Sequence, residues 1–137
     1  MNKFILDCSV YVSWCLNEAT SGAASEILQS LAQKAVVVPP LWVYEVTNTL
    51  MVAVRMDRLT EEEARQLMSD LPLLPVSFDN PTIGTAASVF QIAHKHNLTA
   101  YDAAYIELAL RLSLPIASLD EDIIKVSQKL GIDLVSS

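Results

Sequence analysis

Apolar residues in this chain fall into short unbroken runs separated by longer stretches with a helical period. Phe4 to Leu6 and Ala35 to Val38 are the clearest runs, the first stopped by Asp7 and the second by Pro39-Pro40. Runs this short, with no polar alternation, predict strands buried on both faces. Leu73 to Val76 and Ile116 to Leu119 read the same way, and Leu134-Val135 is a candidate last edge strand. Between the runs, Gly22 to Lys34 places Ala24, Ile27, Leu28 and Leu31 on one helical face, and Trp42 to Asp57 does so with Trp42, Val46, Leu50, Ala53 and Val54. Thr60 followed by Glu63 forms a capping box that opens a helix running to about Leu71. Asp79-Asn80-Pro81 predicts a cap with proline in the first turn, beginning a helix that continues toward His96 and stops near Asn97. Thr99 to Leu112 and Glu121 to Leu130 complete the set, the last closed by Gly131. This alternation predicts one α/β domain over residues 1–137, with a central parallel sheet of four to five strands and helices on both faces.

Composition narrows the class. At 52% hydrophobic residues the chain can bury a core without a staple. No apolar run approaches the roughly 20 residues that cross a bilayer, and the first ten residues lack the pattern of a signal peptide, so a soluble, cytoplasmic protein with no membrane partner is expected. Cys8 and Cys15, if on one helix, sit roughly 10 Å apart by helical rise, too far for a disulfide. Reduced, buried thiols are expected, and no structural zinc site. The net charge of −7 weighs against a nucleic-acid binder, because such proteins normally display a basic patch. Acids that converge on a divalent cation lose part of their charge locally, so the objection is incomplete. Arg55, Arg58 and Arg65 form the one loose basic grouping along the chain, and a solvated helix face explains it.

Candidate chemistry follows from where the acids fall. Ligands of an open parallel sheet bind beyond the carboxyl ends of its strands, where Asp7 and Asp120 lie. A carboxylate at such a position is costly to desolvate unless a cation or several donors compensate it, although each of these two also suits a helix N-cap. Glu45 lies beside the apolar stripe of its helix. Asp102 stands three residues after Thr99, the spacing of a capping box, on a helix apolar on nearly every face. Convergence of the four would give hard oxygen ligands, with no His or Cys nearby, that select Mg²⁺ or Mn²⁺ and position water for phosphodiester hydrolysis. Ser9 and Ser118 flank two of the acids and are read either as caps or as hydrogen-bond donors to the site. His94 and His96 suit a helix C-terminus. Trp14, Trp42, Tyr44, Tyr101 and Tyr105 are read as core or subunit interface, Met51 and Met56 as packing, and Arg111 as a partner of Glu107.

Four segments carry a family resemblance: Ile5-Leu6-Asp7-Cys8-Ser9-Val10, Pro39-Pro40-Leu41-Trp42-Val43-Tyr44-Glu45-Val46, Leu98-Thr99-Ala100-Tyr101-Asp102-Ala103-Ala104-Tyr105 and Leu114-Pro115-Ile116-Ala117-Ser118-Leu119-Asp120. In order and spacing the chain resembles the PIN-domain ribonucleases, most closely the toxin component of VapBC toxin–antitoxin pairs. The resemblance implies a PIN-like nuclease domain, with Asp7, Glu45, Asp102 and Asp120 as catalytic and metal-binding acids. Ser9, Ser118 and, more loosely, Asp122 fall at supporting positions. It further implies Mg²⁺- or Mn²⁺-dependent endonuclease action on RNA leaving 5'-phosphate ends, a homodimer, and inhibition by a cognate antitoxin. Two other functions compete. One is a metal-binding regulatory module of the same fold without turnover; the other is a phospho-accepting receiver domain, which needs a strand-end lysine where this chain has acid.

Overall fold

In the computed structural model, which describes residues 3–17 and 21–135, the chain forms a parallel sheet with helices between its strands. The elements run β1 (Lys3–Leu6), α1 (Cys8–Cys15), α2 (Ser21–Gln29), β2 (Ala35–Val38), α3 (Leu41–Arg55), α4 (Glu61–Asp70), β3 (Val76–Phe78), α5 (Thr85–His96), α6 (Ala100–Leu112), β4 (Ile116–Ala117) and α7 (Glu121–Lys129). All strand pairings are parallel, in the order β3-β2-β1-β4. Successive residues of the two central strands are buried whichever way they point: Phe4, Ile5 and Leu6 on β1, and Val36, Val37 and Val38 on β2. Both faces of the sheet are therefore covered, as an unbroken apolar strand requires. Among the described residues, no helix is long and apolar enough to cross a membrane.

Local signals hold where they are strongest. The Thr60 and Glu63 capping box is reciprocal, at 3.0 and 3.1 Å, and Gly131 closes α7 with φ +73°. The stripe Trp42, Val46, Leu50 and Ala53 of α3 is buried. Helix α6 is the most enclosed, with Ala103, Tyr105, Ile106, Glu107, Leu108 and Ala109 all buried.

Four expectations change. The third strand lies at Val76–Phe78, not Leu73 to Val76, because Pro75 has no N–H for the ladder and Leu71–Leu73 winds into a 3₁₀ turn. Leu134 makes one parallel bridge to Ile116 and no fifth strand, since β4 is only two residues long. That strand stops at Ala117 because Ser118 turns aside to bond Asp7. Finally, Asp79 caps no helix: its N–H extends the sheet to the Val38 carbonyl (2.9 Å), its carboxylate grips Arg111 (2.7 Å), and α5 starts only at Thr85. Of the side chains assigned to packing, Trp42 and Tyr105 are core, whereas Trp14, Tyr44, Tyr101, Met51 and Met56 are exposed. Met51 lies off the buried stripe of α3, and Met56 follows the last residue of that helix.

Candidate active site

The chain leaves β1 at Leu6 and turns into α1 with Asp7 at the junction. Asp7 takes the N-cap backbone position but makes no side-chain cap, so capping does not account for it. Its Oδ2 instead accepts two hydroxyls, Ser9 Oγ at 2.6 Å and Ser118 Oγ at 2.8 Å. Each serine oxygen in turn accepts a backbone N–H from the turn after β4: Leu119 N–H donates to Ser9 (2.9 Å) and Asp120 N–H to Ser118 (3.0 Å). The two serines thus tie two parallel strand ends to one carboxylate oxygen. With 4% of its surface exposed, Asp7 is held above the ordinary carboxylate pKa, mainly by burial and secondarily by the charge of Asp120, against the lowering effect of both serines.

Glu45 comes from the second turn of α3, and its Oε1 accepts the Tyr105 hydroxyl at 2.5 Å. Burial raises its pKa, and the charges of Asp7 and Asp102 add to the shift while Tyr105 opposes it. Tyr105 read as core in the sequence, and it is fully buried, yet it also aims Glu45. The available signal was its place three residues after Asp102, which puts both on one side of an inward-facing helix.

Asp102 sits in the first turn of α6, where its N–H donates to the Thr99 hydroxyl at 3.1 Å. Its pKa is raised to about 6, first by burial and then by Asp120, Asp7 and Asp122. Asp120 does cap α7: Oδ1 accepts the N–H groups of Asp122 (2.9 Å) and Ile123 (3.1 Å). Cap and cluster member are therefore compatible, since the same carboxylate raises Asp7 and Asp102. Asp122 is exposed, and its charge reaches Asp102. Among the described residues the ion pairs join Arg65 to Glu61 and Arg111 to Asp79 and Glu107, so none of them neutralises the four acids.

The tightest grouping contains a residue the sequence reading set aside. One ligand atom each from Asp7, Cys8 and Glu45 lies within 4.8 Å of the others. The expectation of oxygen ligands with no cysteine nearby is therefore wrong, because α1 begins directly at Asp7 and carries the Cys8 sulfur to the same side. The thiol is only half-buried, and burial together with the neighbouring carboxylates raises its pKa and holds it protonated.

This architecture agrees with sequence comparison. The PIN domain profile matches residues 4–129. The chain belongs to the PIN domain family. Among PIN domain relatives, Ribonuclease VapC1 of Mycobacterium tuberculosis is 30% identical over 122 residues, covering 88% of this chain and 87% of the relative. Solved PIN-like structures share the fold at lower identity. VapC20 of Mycobacterium tuberculosis, described as a sarcin-ricin loop cleaving toxin, superposes with a TM-score of 0.71 at 15% identity, over 98% of this chain and 99% of that one. VapBC2 of Rickettsia felis, bound to a DNA fragment from their promoter, superposes with a TM-score of 0.66 at 9% identity, again over 98% and 99%.

The raised acids of this PIN domain carry a sign that can be measured. Without a divalent cation, folded Asp102 keeps its proton to about pH 6, whereas the ordinary value is 3.8. The folded state then binds more protons across that interval, so stability is greatest below it and falls as pH rises through it. Asp7 and Glu45 shift in the same direction. In EDTA, the thermal midpoint should be lower at about pH 7.5 than at about pH 5, and Mn²⁺ should raise it more at the higher pH, where cation need not displace protons. A midpoint that climbs between those pH values in EDTA would contradict the burial-driven shifts.

Proposed function

We propose that this PIN domain is a divalent-metal-dependent endoribonuclease, the toxin of a toxin–antitoxin pair. The observation that carries the proposal is a buried carboxylate, Asp7, at the meeting of two strand ends, with three further acids in electrostatic reach and no ion pair to any of the four among the described residues. The identity to Ribonuclease VapC1 over most of both chains supports RNA as the substrate.

The residues fit Mg²⁺ or Mn²⁺ in number and hardness, with the oxygens of Asp7, Glu45, Asp102 and Asp120 as the proposed catalytic and metal ligands. A bound ion of this kind supplies positive charge that lowers the pKa of water and stabilises the developing charge on phosphorus. Ser9 and Ser118 fix the Asp7 carboxylate by occupying Oδ2, which directs the other oxygen to the site. Tyr105 does the same for Glu45 through Oε1. Asp120, held as a cap through Oδ1, presents its second oxygen, and Asp122 adds negative charge at the rim. Asp7 follows the end of β1, Asp120 caps α7 in the turn after β4, and Glu45 and Asp102 lie in the first two turns of α3 and α6, so the site depends on how these elements pack.

Incubating the purified chain with a panel of structured RNAs should give cleavage in Mg²⁺ or Mn²⁺ that EDTA abolishes. Manganese binding seen by calorimetry with no RNA cut across the panel would instead favour a regulatory module of the same fold. We place the protein in the cytoplasm, where its thiols remain reduced and its substrate is found.

We propose a cognate antitoxin and a second copy of the chain as protein partners. An apolar groove of about 550 Å³ lies between the β2–α3 turn, α5 and α6, lined by Pro39, Leu41, Val89, Phe90, Ala104 and Leu108 among others. Phe90 is exposed, as are Ile83 and Tyr101, which neighbour other lining residues in sequence. Apolar surface of this extent marks a contact with another macromolecule. For the free chain, light scattering should give twice the chain mass, and Phe90→Asp should return it to the mass of one chain. A native monomer at micromolar concentration would dispose of the homodimer.

A further inference from the structure

A net charge of −7 and an RNA substrate pull against each other, and a cleft shared by the end of α5 and by α7 bears on the conflict. Residues from the C-terminal turn of α5 and from α7 line a polar cleft of about 340 Å³ that includes Lys95, Lys125 and Lys129. Three of the chain's nine Lys and Arg residues thus collect in one place, though 30 positions separate the first from the second. All three lysines are exposed, and among the described residues none takes part in an ion pair. Arg111 and Arg65, by contrast, are held by their own acids.

Two of these lysines have a local explanation, since Lys95 and Lys129 lie in the last turns of their helices and complement the dipole. Lys125 lies mid-helix, one turn from Lys129, where like charges repel, and one turn after Glu121, with which it makes no ion pair among the described residues. The local explanation therefore does not cover the group. The cleft also borders the acid cluster. Leu98, which lines it, immediately precedes the Thr99 cap of the helix that bears Asp102, and Asp122, which also lines it, follows Asp120 by two residues.

We propose that Lys95, Lys125 and Lys129 hold the phosphodiester backbone of the RNA strand beside the bond that is cut. The inference rests on the ribonuclease reading and adds where the substrate lies. Lysines are point charges suited to phosphate oxygens, and the lining holds no Phe, Tyr or Trp to stack a base, His96 being its one aromatic side chain. The three lysines therefore position RNA through its backbone and carry no sequence preference themselves. The lysines are positioning residues, which offset the repulsion between an acidic site and a polyanion.

The test measures binding of a fluorescein-labelled RNA stem-loop to an Asp7→Asn background by anisotropy across salt concentrations, and KM and kcat of the otherwise native enzyme. Neutralising three phosphate contacts changes the slope of log affinity against log salt by about 2, at about 0.7 per contact for a single strand. Lys95→Gln/Lys125→Gln/Lys129→Gln should therefore flatten the slope by about that amount and raise KM on the order of tenfold or more at about 0.1 M salt, with little change in kcat. Lys3→Gln/Lys34→Gln/Arg55→Gln, which alters net charge equally, should leave both near native. Lys125→Gln alone should flatten the slope by about 0.7 and guards against misfolding of the triple variant. If the native enzyme cleaves RNA and the cleft variants match its slope and KM, or the control loses as much, the cleft assignment falls and the nuclease reading stands. If the cleft variants lose binding but no RNA is ever cleaved, the nuclease reading falls and the cleft stands.

Discussion

Asp7→Asn should lower RNA cleavage by at least about 10³-fold, several kcal/mol of lost transition-state stabilisation, while the protein melts no earlier than the native chain in EDTA. The first half follows from position: Asp7 is the most buried of the four acids and the one that the serines from both strand ends orient. An amide keeps the volume, and its carbonyl oxygen still accepts from Ser9 and Ser118, so the turn after β4 stays tied to α1. The anion is what disappears. The second half follows from the raised pKa, because a carboxylate that burial pushes upward opposes folding when ionised, and its neutral isostere does not. Opposite signs for activity and stability separate a site residue from a structural one. Cleavage rates read on a labelled RNA, together with a thermal melt at about pH 7.5, test both halves. A variant that keeps activity, or that loses it by unfolding, contradicts the role assigned to Asp7.

Trp42→Ala should cost about 3–5 kcal/mol, a large share of the roughly 5–15 kcal/mol that holds a domain folded. Trp42 is 1% exposed and packs on Tyr11 at a centroid distance of 5.8 Å, joining α3 to α1 under the site. It also lies three residues before Glu45, so a cavity there loosens the turn of α3 that presents Glu45 and should lower activity in the fraction that still folds. Trp42→Phe should cost clearly less. Phenylalanine retains most of the apolar volume and removes the indole N–H, which has no hydrogen-bond partner among the described residues. Urea melts of the two variants give the comparison. A loss from Trp42→Phe as large as that from Trp42→Ala would mean that the indole nitrogen is satisfied and important.

Along the chain, what was legible is what short-range physics writes. The capping box at Thr60, the Thr99 cap before Asp102 and the glycine after α7 each involve residues within a few positions of one another, so their spacing survives in one dimension. The buried stripe of α3 and the enclosed α6 show for the same reason, since a helix repeats every 3.6 residues whatever it packs against. The acid at the end of β1 was visible as a charge closing an apolar run. Where local signals misled, a distant partner had displaced them: Asp79 looked like a cap, but Arg111, 32 residues on, and the Val38 carbonyl take it instead.

The sequence by itself determined the α/β class, the parallel sheet and the identity of the four acids as residues in need of a partner. Only the tertiary structure decided that they come within electrostatic reach of one another. Ser118 and Asp7 are separated by 111 positions, and Tyr105 and Glu45 by 60, so their bonds exist only because β4 pairs beside β1 and α6 packs on the sheet. The same kind of packing brought Glu45 to Asp7 and Cys8, and Lys95 into one cleft with Lys125. Neither pairing leaves a mark in local spacing, because side chains brought together by packed elements need no common period along the chain.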